Sequence, residues 1–206
     1  VLLDVLAYNT HYLGFNANML ANEMFLDSAS LRSSIVSHAK TLGYVPSSAR
    51  AAKATVDVTL NTNSSTATMP AGTVFSTTVG DTTFQFSTIE SFTKSNTGNS
   101  IPFVGVDIFE GTFITTRYTV DSSDIDQRFL LTDNRADTST LIVKVQTSST
   151  DSTSTTFTEA TDITQVTAGS NVFFLQEVEA GLFEVYFGDG VIGTSLSDDN
   201  IVILTY

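Results

Sequence analysis

Apolar side chains at the start of the chain recur with helical spacing. Leu3, Leu6, Thr10, Leu13, Ala17, Leu20 and Met24 are separated by three and four residues in alternation, the seam of a heptad helix. A second row, Val5, Tyr8, Tyr12, Phe15, Met19, Asn22 and Leu26, repeats that spacing two residues out of phase, about 200° around a helix of 3.6 residues per turn. A helix that is apolar on opposed faces needs a cover on each. Residues 27–30 offer a cap and a break. Leu31, Ile35, Ala39 and Leu42 then mark one face of a second helix, closed by Gly43 with Pro46 beyond. The two form a helical hairpin in which the second helix can cover one row of the first. For the other row, the rest of the chain and another chain are equally good covers on pattern alone. Another chain is the reading adopted, because each large side chain left bare forgoes about 1.5–3 kcal/mol of burial.

From residue 54 the period falls to two. Residues 54–60, 83–86, 112–120, 141–145, 171–175, 182–187 and 201–206 read as strands. Turn chemistry separates them at 61–65, 70–72, 80–81, 96–99 and 188–190. No helix-period segment intervenes, so the sheets should be mostly antiparallel. Residues 148–156 are nearly all Ser, Thr and Asp and read as a solvated loop or hairpin tip. The predicted class is α+β: an N-terminal helical hairpin over residues 1–50, then a β-rich domain over 51–206 that divides into one or two parts.

Charge follows the same division. Residues 1–53 hold four basic and three acidic side chains, a net of +1, whereas the remainder holds five and nineteen, a net of −14, so the negative charge lies in the β-rich part. Such an excess of negative charge, without a Lys/Arg cluster, excludes nucleic acid as the expected partner. No apolar run approaches the roughly 20 residues a membrane helix needs, so no membrane partner is expected. The chain has no cysteine, hence no disulfide framework, thiolate zinc site or cysteine nucleophile. It opens at Val1 without a basic stretch and apolar core, so no signal peptide is expected, and it is open to being a piece of a longer protein.

Candidate chemistry is sparse. Gly188, Gly190 and Gly193 satisfy G-x-G-x-x-G, but a dinucleotide site also needs a helix starting at those glycines and a further parallel strand. A polar loop and a final strand come after them instead, so Gly188 and Gly190 are read as positive-φ turn residues. His11 and His38 lie on different helices without a carboxylate pair and read as a helix-contact boundary residue and a flank residue. The acids at 121, 124 and 126, at 133 and 137, and at 198 and 199 read as solvated loop carboxylates. The first run lacks the glycine and closing glutamate of a calcium loop, and Ile125 interrupts it. No catalytic residue, cofactor or metal is expected.

The stretches Tyr8-Asn-Thr-His-Tyr-Leu-Gly-Phe-Asn-Ala-Asn-Met-Leu-Ala-Asn-Glu-Met-Phe-Leu-Asp27 and Ser33-Ser-Ile-Val-Ser-His-Ala-Lys-Thr-Leu-Gly-Tyr44 resemble the baseplate wedge proteins of contractile-tailed bacteriophages, in the baseplate J-like family. A second anchor, Leu182-Phe-Glu-Val-Tyr-Phe-Gly-Asp-Gly-Val-Ile-Gly193 with the strand after it, is similar to that family's Phe-Gly-Asp-Gly turn and closing strand, and residues 70–73 also fit. The resemblance implies a non-enzymatic virion component of the tail baseplate, assembled in the host cytoplasm. It would be a homo-oligomer contacting other baseplate wedge proteins and tail hub or sheath-proximal proteins, its N-terminal helices joining a multi-helix bundle. Family members are generally longer, so self-association through their C-terminal region does not transfer to these residues. The expected interface residues are Leu6, Leu13, Leu20 and Met24 on one row and Tyr8, Tyr12, Phe15 and Met19 on the other. The alternative is a carbohydrate- or host-surface-binding β module, motivated by the Thr/Ser-rich strands and acidic loops but weakened by the absence of tryptophan.

Overall fold

A computed structural model of the chain describes residues 1–124, 126–178 and 181–206. Ile125, which interrupts the acidic run at 121–126, lies outside the described residues. Among the described residues two helices, α1 (Leu2–Glu23) and α2 (Arg32–Thr41), precede thirteen strands. The α+β class read from the sequence is therefore the observed one.

The strands form three sheets. The first is four-stranded, in the order β1 (Lys53–Asn61), β6 (Ser100–Glu110), β4 (Thr82–Ser87) and β3 (Val74–Val79), with a two-stranded sheet of β2 (Thr66–Met69) and β5 (Phe92–Ser95) beside it. Met69, Ile101, Phe103, Val106 and Ile108 make the core of this part. β6 is a long strand that the sequence reading misses, because it contains Pro102 and Gly105. The glycine sits at φ +70° where β6 bulges: Val56 faces Val106 and Val58 faces Phe103, and the Gly105 amide donates to Asp57 Oδ1 at 2.7 Å. The predicted turn at 80–81 is the two-residue connection of the β3–β4 hairpin.

The larger sheet runs β7 (Thr115–Thr119), β13 (Ile201–Thr205), β9 (Ile142–Gln146), β10 (Ser154–Glu159), β11 (Val172–Glu177), β12 (Phe183–Phe187) and β8 (Phe129–Leu130). Its pairings are antiparallel except for β10 with β11. Residues 154–156, expected to be loop, form the start of β10, because the polar, Thr-rich segment pairs with β9 and buries Phe157. The sheet curls until its edges meet. Tyr118 of β7 donates to the Leu130 carbonyl of β8 at 2.7 Å and sets its ring edge-on to Phe129. Inside lie Leu131, Val143, Phe183, Val185, Val202 and Leu204, at most 2% exposed.

The segment after α2 begins at the predicted glycine cap. Gly43 adopts φ +73°, its amide bonds to the Lys40 carbonyl, and the Tyr44 amide reaches back to Ala39, the paired bonds of a Schellman motif. The chain then runs along the larger sheet: Ser48 Oγ accepts from Thr138 N and Oγ1, and Ala51 N donates to Asp137 Oδ2 at 2.9 Å.

Candidate assembly interface

α1 is 22 residues long, about 33 Å at 1.5 Å per residue, and none of its residues is buried. Between Val5 and Asn22 it carries no Asp, Glu, Lys or Arg. Over five turns the helix thus presents no charge and leaves its leucines and tyrosines in water, an extended apolar surface with no cover from its own chain. It is not a membrane span: no helix among the described residues is long and apolar enough to cross a bilayer.

Both predicted rows are present and both are bare. Leu6, Leu13, Leu20 and Met24 stand exposed on one side, Leu13 at 61%. On the other, Tyr8, Tyr12, Phe15 and Met19 are exposed, Met19 least at 40%, with the Tyr8 and Tyr12 rings stacked 6.2 Å apart along the helix. The expected cover of one row by α2 is not found. The reason lies in how α2 is turned. The face predicted from Leu31, Ile35, Ala39 and Leu42 leaves all but Ala39 exposed, and the buried residues of the helix are Val36 and Ala39. Arg32, Val36 and Ala39, at i, i+4 and i+7, share the other face, and Arg32 ties that face to a charge on the larger sheet.

That charge is Glu177. Along β11 the inward positions are Phe173, Leu175 and Glu177, so a carboxylate occupies a core register position, with its side chain 1% exposed. Arg32 meets it in a two-pronged pair, Nε to Oε1 and Nη2 to Oε2, both 2.7 Å. The carboxylate in turn holds the Arg32 guanidinium more firmly protonated than usual. On the opposite face of the sheet Glu184 is held likewise, by Arg128 at 2.9 and 3.0 Å and Gln176 at 3.0 Å. These bonds, Arg128 foremost, outweigh the desolvation and keep its carboxyl below the usual range, with a further push from the Lys40 charge on α2. Every buried side-chain polar atom among the described residues has a partner.

The joint between the helices is equally specific. The sequence suggests a cap within residues 27–30, but the N-cap of α2 is Leu31, which has no capping oxygen of its own. Glu23, the last residue of α1, supplies it. Its Oε1 accepts from Ser30 N at 3.0 Å and Ser30 Oγ at 2.7 Å, and Oε2 accepts from Leu31 N at 3.2 Å. The Ser30 bonds, with Ser34 and Leu31 adding to them, lower the Glu23 pKa to about 2. In return, His38 of α2 donates from Nε2 to the Glu23 carbonyl at 2.9 Å, since a carbonyl can only accept. Ser28 Oγ donates to the Asn22 carbonyl at 2.7 Å. His38 is therefore the C-terminal cap of α1, and His11 lies exposed on α1.

The glycine motif is a loop. Nothing helical comes after Gly188, and β12 and β13 are not neighbours in the sheet. Gly190 and Gly193 have positive φ; Gly188 does not, and is needed for a different reason, since an added Cβ would sit 2.2 Å from the Ile192 carbonyl oxygen. Asp189 Oδ1 accepts from Val191 N and Ile192 N, which pulls its carboxyl below the usual range. The acidic loops are internally bonded in the same way, with Asp121 Oδ1 accepting from Ser123 and Asp198 Oδ1 from Ser122 N. Among the described residues no group of three or more His, Asp or Glu side chains is arranged to hold a metal ion.

Comparison with known proteins bears on this helical unit first. Residues 1–44 match the family model of the baseplate wedge protein gp6-like helical domain. The chain is also 28% identical over 203 residues to the baseplate wedge protein gp6 of Enterobacteria phage T4, covering 96% of this chain and 30% of that protein. The chain thus spans under a third of the length of the curated relative it matches. The resemblance read from the residues holds, with two bare apolar rows lying inside the matched helical unit: the chain is similar to the gp6-like phage baseplate wedge proteins.

Proposed function

We propose that the chain is a structural part of a phage tail baseplate wedge that assembles through α1, with copies of itself and with other wedge proteins, and carries out no catalytic step. The observation that carries this reading is α1: 22 residues, none buried, uncharged along its middle, with apolar rows on opposed faces. A helix of that kind reaches its stable state in a bundle, where burying each large side chain of the two rows contributes about 1.5–3 kcal/mol. Leu6, Leu13, Leu20 and Met24 are the proposed contacts on one row, and Tyr8, Tyr12, Phe15 and Met19 on the other. Residues 1–50 act as the assembling arm and residues 51–206 as the body that carries it. The similarity to gp6 supports neighbours within the wedge and a place in the tail baseplate; neighbours towards the tail hub and sheath are part of the same proposal.

Leu13→Asp tests this. Placing a carboxylate in the middle of one row should block co-assembly with wedge partners in native mass spectrometry, while circular dichroism and thermal unfolding show the β strands intact. Normal assembly by the variant would overturn the bundle reading.

A further inference from the structure

The helical joint is a reciprocal lock. The side chain of the last α1 residue caps the start of α2, and a side chain of α2 caps the end of α1. Glu23 takes the amides of Ser30 and Leu31 and the Ser30 hydroxyl, while the His38 ring holds the Glu23 carbonyl. Neither helix makes these bonds within itself, so they exist at one relative orientation of α1 and α2. α2 is in turn tied to the larger sheet by the Arg32–Glu177 pair. The two attachments act in series and link α1 to the body without burying any of it.

We propose that the Glu23 clasp is a preset elbow, which fixes the direction in which α1 projects from the body before any partner binds. Bare helices attached through a slack linker must lose that orientational freedom when they join a bundle; a clasped one has lost it beforehand. The elbow deepens the proposed assembly through α1, and its consequence for assembly rests on that reading. The elbow itself is a property of the isolated chain.

The chain has no cysteine, so single cysteines at exposed Asn9 of α1 and Thr156 of β10 can carry a pair of nitroxide spin labels without background. Electron–electron dipolar spectroscopy on the full chain, without partners, should give one narrow distance distribution. Glu23→Ala should broaden it, with open orientations about five- to tenfold more populated, the factor that a lost cap corresponds to. Ser30→Ala, which removes only the 2.7 Å hydroxyl bond, should broaden it less. His38→Ala should broaden it from the other side of the joint. Far-UV circular dichroism checks that both helices persist; should Glu23→Ala lose them, the Ser30→Ala and His38→Ala distributions decide. An unchanged width in the variants, or a wild-type distribution already as broad as theirs, would overturn the elbow. Narrow wild-type and broad variant distributions would sustain it even if Leu13→Asp assembles normally.

Discussion

Arg32→Ala offers the sharpest test of what holds the helical arm to the body. The substitution removes two bonds of 2.7 Å and leaves the Glu177 carboxylate, 1% exposed, without its cation. Exposed ion pairs contribute about 0–1 kcal/mol, whereas stripping one partner from a buried pair costs about 3–5 kcal/mol. This pair lies between those limits, because the arginine side chain is 63% exposed and a cavity of about 670 Å³, lined by Arg32, Val36, Asn134 and Phe183, gives water a way to the bared carboxylate. The expected loss is about 2 kcal/mol. Glu177→Gln keeps the shape and one acceptor and leaves Arg32 reaching into solvent, so it should cost about 1 kcal/mol or less. The double variant is decisive: with Arg32 gone, converting the buried carboxylate to a neutral amide removes a desolvation penalty. Arg32→Ala/Glu177→Gln should therefore be more stable than Arg32→Ala alone. Urea unfolding followed by far-UV circular dichroism, extrapolated linearly to water, measures all three. A cost below about 0.5 kcal/mol for Arg32→Ala, or a double variant less stable than the single, would refute the claim that a buried acid ties α2 to the sheet.

Three further outcomes are expected of the same structure. Glu23 should titrate near pH 2 by carboxyl NMR, and Ser30→Ala should bring it up towards the ordinary 4.5; because the folded value is depressed, the clasp's stabilisation is fully present above about pH 4.5 and is lost as pH falls through 2. Phe183→Ala, in the core of the curled sheet, should cost about 3–5 kcal/mol in chemical denaturation, while Leu13→Ala should change the isolated chain by less than about 0.5 kcal/mol since Leu13 touches little. Gly188→Ala should destabilise by about 1–3 kcal/mol, seen as a lowered midpoint of thermal unfolding, because its Cβ has no room beside the Ile192 carbonyl.

The periodic parts of this fold are legible in the sequence. The three-four spacing of α1, the Gly43 terminus and the alternating strands around Val143, Phe183 and Val202 arise from local chemistry that the tertiary structure leaves standing. β6 is hidden because its proline and bulge glycine imitate a loop, and β10 because its order comes from the neighbouring strand rather than from its own apolar pattern. The turned face of α2 is hidden for a related reason. Leu31, Ile35 and Leu42 form the more apolar face, but an ion pair with a residue 145 positions away selects the other. Glu177 carries the one signal that could have been read, an acid in phase with the inward-facing Phe173 and Leu175. The Glu23 cap, seven residues from Ser30 and across a helix break, leaves no such trace. The two rows of α1 are legible because apolar periodicity is local, and the structure shows both of them exposed.

Hydroxyl-radical footprinting of the native sequence tests the central claim most directly, since both rows carry reactive side chains: Met24 and Leu13 on one, Met19, Tyr8 and Tyr12 on the other. In the isolated chain all five should be oxidised readily, and in assembled baseplates both rows should be protected together. Oxidation of either row at the same rate in the particle as in the free chain would contradict the account.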